Sequence, residues 1–395
     1  MKIDAMILRE DFYKISDATL ERYFREVEGK EVHVKTVKHG LRNCLVVYPH
    51  LGAITTRWPG YETLKFLLSE YNIRNKPIKN LLAKAYVLFC LFTFGLFSQC
   101  CVHLTGNIEI ERSMLIFPAN RKLRIYNFKT GYVDAIVKES FTLKYFQTEL
   151  SFRLENHFEF VPQIADSGEG WYREVILPGQ PLARIREEIL YRKCLGDTVK
   201  HMNTIIQAGE IKYVDAKEYA DNLYRDICEK MEIARQKKHI RSYEGVLEIA
   251  GKAYEKAGGL GEKVPVAPSH GDLQSGNVWV DAASEKTYII DWETYGWRSV
   301  WYDCATILLS TRRAGKLKEM MENRDTNFVK EALFQNDKNK DYKMESVIAI
   351  IVMEDILFYL EDMLELPEAY GADIFDRIAG EFGMMGWGNS NGYQI

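Results

Sequence analysis

Apolar and polar positions alternate at strand period in the N-terminal part of the chain and recur at helical period further on. Residues 31–38 set Val32, Val34 and Val37 among polar neighbours, and 44–48 form a short apolar run. Three more strands are predicted at 113–117, 122–128 and 132–138. The second alternates Leu123, Ile125 and Asn127 with charged or aromatic partners, and the third places Val133, Ala135 and Val137 on alternate positions. Lys129-Thr130-Gly131 supplies the turn between them. At 141–155 the period changes, with Leu143, Phe146, Leu150, Phe152 and Leu154 at helical spacing. Helical patterns continue at 184–208, 214–240, 243–257 and 347–364; the last turns Ile348, Ile351, Ile356 and Leu360 inward and leaves Glu354, Asp355, Glu361 and Asp362 polar.

One stretch fits neither pattern. Residues 85–104 run twenty positions without a formal charge, long enough for a membrane-spanning helix. Arg74, Lys76, Lys79 and Lys84 precede it while Glu109 and Glu111 follow, so a single span would hold the N-terminus in the cytoplasm and send the rest of the chain across. Three readings stay open for a helix at 81–104: association with the cytoplasmic face of a membrane, burial in protein or an oligomer interface, and a span.

Composition narrows the class. With 395 residues, 47% of them hydrophobic, the chain can bury a sizeable core, and a net charge of -4 with dispersed Lys and Arg argues against a nucleic-acid binder. Seven cysteines without metal spacing point to reduced thiols in a cytoplasmic compartment. The start of the chain has no signal-peptide pattern.

The densest chemistry lies at 269–303. The run S-H-G-D-L-Q-S-G-N-V-W-V-D is followed by D-W-E and then W-Y-D. Asp272 stands five positions before Asn277, and Asp291 follows fourteen later, after the apolar Tyr288-Ile289-Ile290. Together these supply a carboxylate to receive a hydroxyl proton, an amide oxygen for Mg²⁺ and a second carboxylate for Mg²⁺. Singly, each reads as a turn or a strand cap; the ordered set is what points to phosphoryl transfer.

This stretch resembles the aminoglycoside phosphotransferase and choline kinase family, the small-molecule branch of the protein-kinase-like fold. The resemblance implies an α+β, two-lobed chain: an extra N-terminal module at 1–112, a β-rich N-lobe at 113–176 and a helical C-lobe at 177–395. It implies that Asp272 is the catalytic base, that Asn277 and Asp291 bind Mg²⁺, that His270 braces the loop and that Asp303 anchors the C-lobe. Lys138, closing the third strand, matches the family lysine that holds the α- and β-phosphates of ATP, and Glu149 its helix partner, with Glu155 the competing choice. Residues 171–182 resemble the inter-lobe hinge, whose backbone from Glu174 to Ile176 would meet the adenine edge. A glycine-rich loop is missing: Phe117-Pro118-Ala119-Asn120-Arg121-Lys122 stands in its place.

The acceptor implied is small. Gly271 occupies the place of the arginine that engages a phosphorylated activation loop in protein kinases, and eleven residues separate Asp291 from Asp303, too few for a segment that docks a peptide. A hydroxyl on a sugar, amino sugar or amino alcohol follows, including one in surface glycan metabolism. A catalytically silent kinase-like scaffold at a membrane and an atypical protein kinase remain as alternatives.

Overall fold

The computed structural model describes residues 3–8, 10–38, 43–71, 76–93, 100–237, 243–309, 331–332, 335 and 342–365. The chain divides into two compact units, Met1–Tyr191 with Trp279–Glu293, and Arg192–Val278 with Thr294–Ile395.

The first unit is built on an antiparallel sheet, nine-stranded among the described residues. Its strands are β1 (Val32–Val37), β2 (Cys44–Tyr48), β3 (Ala53–Thr55), β4 (Cys100–Gly106), β5 (Met114–Pro118), β6 (Lys122–Asn127), β7 (Tyr132–Val137), β8 (Ile164–Gly168) and β9 (Trp171–Val175), ordered β1-β4-β2-β3-β5-β6-β7-β9-β8. One face is covered by α1 (Ile3–Ile7) and α2 (Phe12–Glu26), which pack Met6, Phe12, Leu20 and Phe24 with Leu123, Ile125 and Ile136. The other face is covered by α3 (Tyr61–Ser69) and α4 (Pro77–Phe92), which pack Leu67, Val87 and Leu91 with Leu115, Tyr126 and Val133. Helix α5 (Lys144–Glu155) adds Phe146 against Ala135, Val137 and Tyr172.

Two expectations are corrected here. Residues 1–112 are not a separable module: their strands extend the same sheet as β5–β9, and α1 and α2 share a core with β6 and β7. The strands of the predicted N-lobe would otherwise leave apolar faces in water. The apolar stretch at 81–104 is not one helix either. Helix α4 ends at Phe92 with Thr93 as C-cap, residues 94–99 lie outside the described residues, and Cys100–Gly106 is strand β4 between β1 and β2. No helix among the described residues is long and apolar enough to cross a membrane.

The second unit is mainly helical, with α6 (Glu188–Ala208) leading into α7 (Ala216–Lys237), α8 (Tyr243–Ala257), α9 (Tyr302–Leu309) and α10 (Met344–Glu365). A small sheet of β11 (Lys212–Asp215), β12 (Lys263–Ser269) and β15 (Gly296–Ser299) accompanies the helices. Strands β10 (Gln180–Pro181), β13 (Val278–Asp281) and β14 (Lys286–Ile289) form a separate sheet that, apart from Val278, belongs to the first unit. Helix α10 buries Ile348, Ile351, Ile356 and Leu360 as its spacing predicts, but it also buries Glu354 and Asp355. Glu354 accepts from the Ser299 amide and hydroxyl, both at 2.7 Å, and from Tyr219 Oη at 2.6 Å; Asp355 accepts from Tyr302 Oη at 3.0 Å. These two acids hold β15 and α9 in place rather than line a polar face.

Candidate active site

Strand parity decides which lysine enters the first unit's charged cluster. On β7, Ala135 and Val137 face the α5 side, while Ile136 faces the α1–α2 side. Lys138 follows Ile136 by two positions and shares its face. Its ammonium therefore sits 2.5 Å from Glu10 and 4.0 Å from Met6 Sδ, under the N-terminal helices. The predicted Lys138–Glu149 pair is not formed.

Lys122 pairs with Glu149 instead. It opens β6 directly across from Val137, on the α5 face. Its Nζ lies 2.7 Å from Glu149 Oε2, 2.6 Å from Asp291 Oδ1 and 3.3 Å from Glu293 Oε2. A sequence signal was there: Lys122, Arg124 and Tyr126 alternate with Leu123 and Ile125, so the strand carries two cations on the face opposite its aliphatic residues. The D-W-E signal included Glu293, whose place in the cluster sequence reasoning also missed.

Further cations balance the carboxylates. Arg153 Nη1 reaches Glu149 at 3.3 Å, Arg124 reaches Asp291 at 3.5 Å, and Arg121 reaches Glu293 at 3.2 Å while stacking 4.0 Å over the Tyr145 ring. Tyr172 Oη donates to Glu149 at 3.0 Å. Burial works against the Lys122 ammonium, yet Asp291 and Glu149 outweigh it and hold its pKa well above the usual lysine value. Burial likewise opposes ionised Glu149, and Lys122 and Arg153 overcome it, leaving its pKa lowered. Glu293 goes the other way: burial first and then the Asp291 carboxylate push it up to about 7. Asp291 itself takes a left-handed backbone at φ +70°, a strained conformation that aspartate tolerates better than most residues.

The second unit carries the H-G-D loop. Asp303 accepts the His270 amide at 2.7 Å and the Gly271 amide at 3.0 Å, and Thr294 Oγ1 donates to the His270 carbonyl at 3.0 Å. Gly271 turns at φ +83°, and a Cβ there would lie 2.4 Å from the Thr294 carbonyl oxygen, so only glycine fits. The Asp272 amide then donates to His270 Nδ1 at 3.1 Å, which puts the neutral ring's proton on Nε2. The Asp272 carboxylate accepts from Gln274 Nε2 at 2.7 Å and Asn277 Nδ2 at 3.2 Å. Asn277 Nδ2 also donates to the Asp272 carbonyl at 2.8 Å.

Glu149, Asp291 and Glu293 each place an oxygen within 4.8 Å of the others, and Lys122 pairs with all three. The donors expected to bind Mg²⁺ suit a hard cation: Asn277 makes its bonds through the amide nitrogen, leaving the amide oxygen as a ligand, and Asp291 is a carboxylate.

The hinge residues lie at the end of β9. The Ile176 amide donates to the Gly131 carbonyl at 2.9 Å, and Glu174 pairs with Val133 on β7 and with Ile164 on β8. The Glu174 side chain is bonded to Arg153.

Residues 220–332 match the sequence model of the phosphotransferase enzyme family. No curated protein matches the chain. Among solved structures, a choline/ethanolamine kinase family protein from Mesorhizobium loti aligns at 13% identity and a TM-score of 0.46, over 69% of this chain and 87% of that one. The streptomycin–ATP–APH(2″)-IIa ternary complex aligns at 12% identity and 0.43, over 68% and 93%. Amicoumacin kinase hAmiN with AMP-PNP, Ca²⁺ and Ami aligns at 14% and 0.41, over 69% and 88%. The sequence match spans the helices before the H-G-D loop, the loop itself and the D-W-E turn. Through that segment the chain resembles the aminoglycoside phosphotransferase and choline kinase family, enzymes that transfer phosphate to hydroxyl groups.

Proposed function

We propose that this protein is an ATP- and Mg²⁺-dependent phosphotransferase that moves the γ-phosphate to a hydroxyl of a small molecule. The observation that supports it most is Lys122, held between Glu149 and Asp291, the lysine–glutamate–aspartate set that a kinase uses on phosphates and their metal. In this reading Lys122 takes the phosphate-binding role expected of Lys138. Its fixed ammonium holds phosphate oxygens, and Glu149 keeps it extended toward them. Asn277 and Asp291 hold Mg²⁺, which when bound neutralises charge on the phosphates. Asp272, oriented by Gln274 and Asn277, positions the acceptor hydroxyl and takes its proton as the new P–O bond forms. Asp272 and Asn277 belong to the second unit, and Lys122 and Asp291 to the first.

The acceptor class is a sugar, amino sugar or amino alcohol, a sugar hydroxyl of a surface-glycan precursor among them. The eleven residues between Asp291 and Asp303 support a small acceptor over a docked peptide. ATP supply places the reaction in the cytoplasm. The test is Mg·ATP turnover against a panel of such alcohols, with Asp272→Ala and Asp291→Ala beside the parent. Asp272→Ala should lose roughly 10²–10⁴ in turnover while still binding nucleotide; Asp291→Ala should weaken Mg·ATP binding itself. Turnover at the parental rate in both variants would sink the assignment, and nucleotide binding without transfer to any acceptor would favour a silent scaffold.

A further inference from the structure

Helix α4 has two different faces. Asn80, Val87, Cys90 and Leu91 are buried, the last three in the core beneath the sheet. On the opposite side Ile78, Leu81, Leu82, Tyr86, Phe89 and Phe92 stand 40–74% exposed. At about 100° per residue these six fall within roughly 140° of the helix circumference, a continuous apolar stripe over the full length of α4. A globular chain seldom leaves so many large apolar side chains side by side in water. Trp58, itself 43% exposed, extends the stripe at its C-terminal end, with its ring 6.4 Å from that of Phe92.

The charges on α4 indicate what covers the stripe. Lys79 lies about 20° beyond one edge of the stripe and Lys84 about 60° beyond the other, Lys76 is the N-cap residue, and the helix contains no Asp or Glu. A second copy of α4 would offer those lysines no acid on its own helix, since a two-fold contact repeats the patch. A bilayer carrying anionic headgroups satisfies both features at once: apolar side chains enter the acyl boundary while the flanking ammonium groups stay at phosphate level. Tyr86 and Trp58 are the amphipathic aromatics that settle at such an interface.

We propose that α4 is an in-plane docking helix by which the protein binds an anionic lipid bilayer without crossing it. The contact is independent of phosphoryl transfer, and its test does not pass through turnover. Full-length protein is sedimented with vesicles of phosphatidylcholine alone or with about one-third phosphatidylglycerol. The expected result is partition into the mixed vesicles on the order of a hundredfold stronger, from three lysines near an anionic surface, and falling with added salt. Lys79→Gln with Lys84→Gln should lower it roughly thirtyfold. Leu81→Glu with Leu82→Glu should stay in the supernatant with an unchanged thermal midpoint, because these side chains stand 71% and 65% exposed. Failure of the parent to sediment, or equal sedimentation of the Leu81→Glu/Leu82→Glu protein, overturns the proposal. So does a dimer that this double variant splits, if the parent shows no vesicle binding.

Discussion

Lys122 and Val137 face each other across β6 and β7, so an ammonium could reach Glu149 from either position. That geometry yields a direct test of the lysine's role. Lys122→Val should cut kcat/KM for Mg·ATP by on the order of a hundredfold or more, and adding Val137→Lys should return part of it. A double variant no better than the single one, on steady-state kinetics with varied Mg·ATP, would show that placing the charge there is not enough. Lys138 is predicted to behave otherwise. Lys138→Met strips the buried Glu10 carboxylate of its partner, at about 3–5 kcal/mol, so the thermal midpoint should fall while KM for ATP in the folded protein holds. A rise in KM without a drop in midpoint would return Lys138 to the nucleotide site.

At the level of elements, the H-G-D loop is held by its amides more than by its side chains. Asp303 takes two N–H groups with two oxygens, and Asn has only one oxygen to offer. Asp303→Asn should therefore cost about 1–3 kcal/mol and lower kcat more than it weakens nucleotide binding, checked by turnover beside ATP calorimetry. The other elements were legible to different degrees. The periods at 113–138 located β5, β6 and β7 within a residue or two, and 243–257 matches α8 end to end. The apolar stretch at 85–104 misled because hydropathy alone does not separate a helix end from a buried strand. Val102 and Leu104 are apolar for strand burial in β4, whereas Phe89 and Phe92 are apolar on an exposed helix face.

For the molecule as a whole, the N-terminal helices are part of the core. Deleting residues 1–27 removes Ile3, Met6, Phe12, Leu20, Tyr23 and Phe24 from the cluster that includes Leu123, Ile125 and Ile136. The truncated chain should lose cooperative unfolding of the first unit by calorimetry; a full native transition would restore the idea of a separable module. Stability should also depend on pH through Glu354. Burial raises its carboxyl pKa against the opposing Ser299 and Tyr219 donors, so the folded state holds the proton more tightly than the unfolded state. That contribution is complete below the unfolded carboxylate range and is lost as pH rises through the folded value. As pH rises above the ordinary carboxylate range, the thermal midpoint should fall more steeply in the parent than in Glu354→Gln.

Sequence by itself determined the local periods, the strand-then-helix order and the ordered set His270, Asp272, Asn277, Asp291 and Asp303, because these depend on spacing along one stretch of chain. Only the tertiary structure decided that Lys122 rather than Lys138 meets Glu149, that residues before 112 belong to the same sheet, and that Glu354 is a buried brace. The reason is common to all three. Which face a strand buries, and which distant strand or helix lies against it, is set by pairing across the sheet, and a shift of one residue in parity moves a side chain from one core to another.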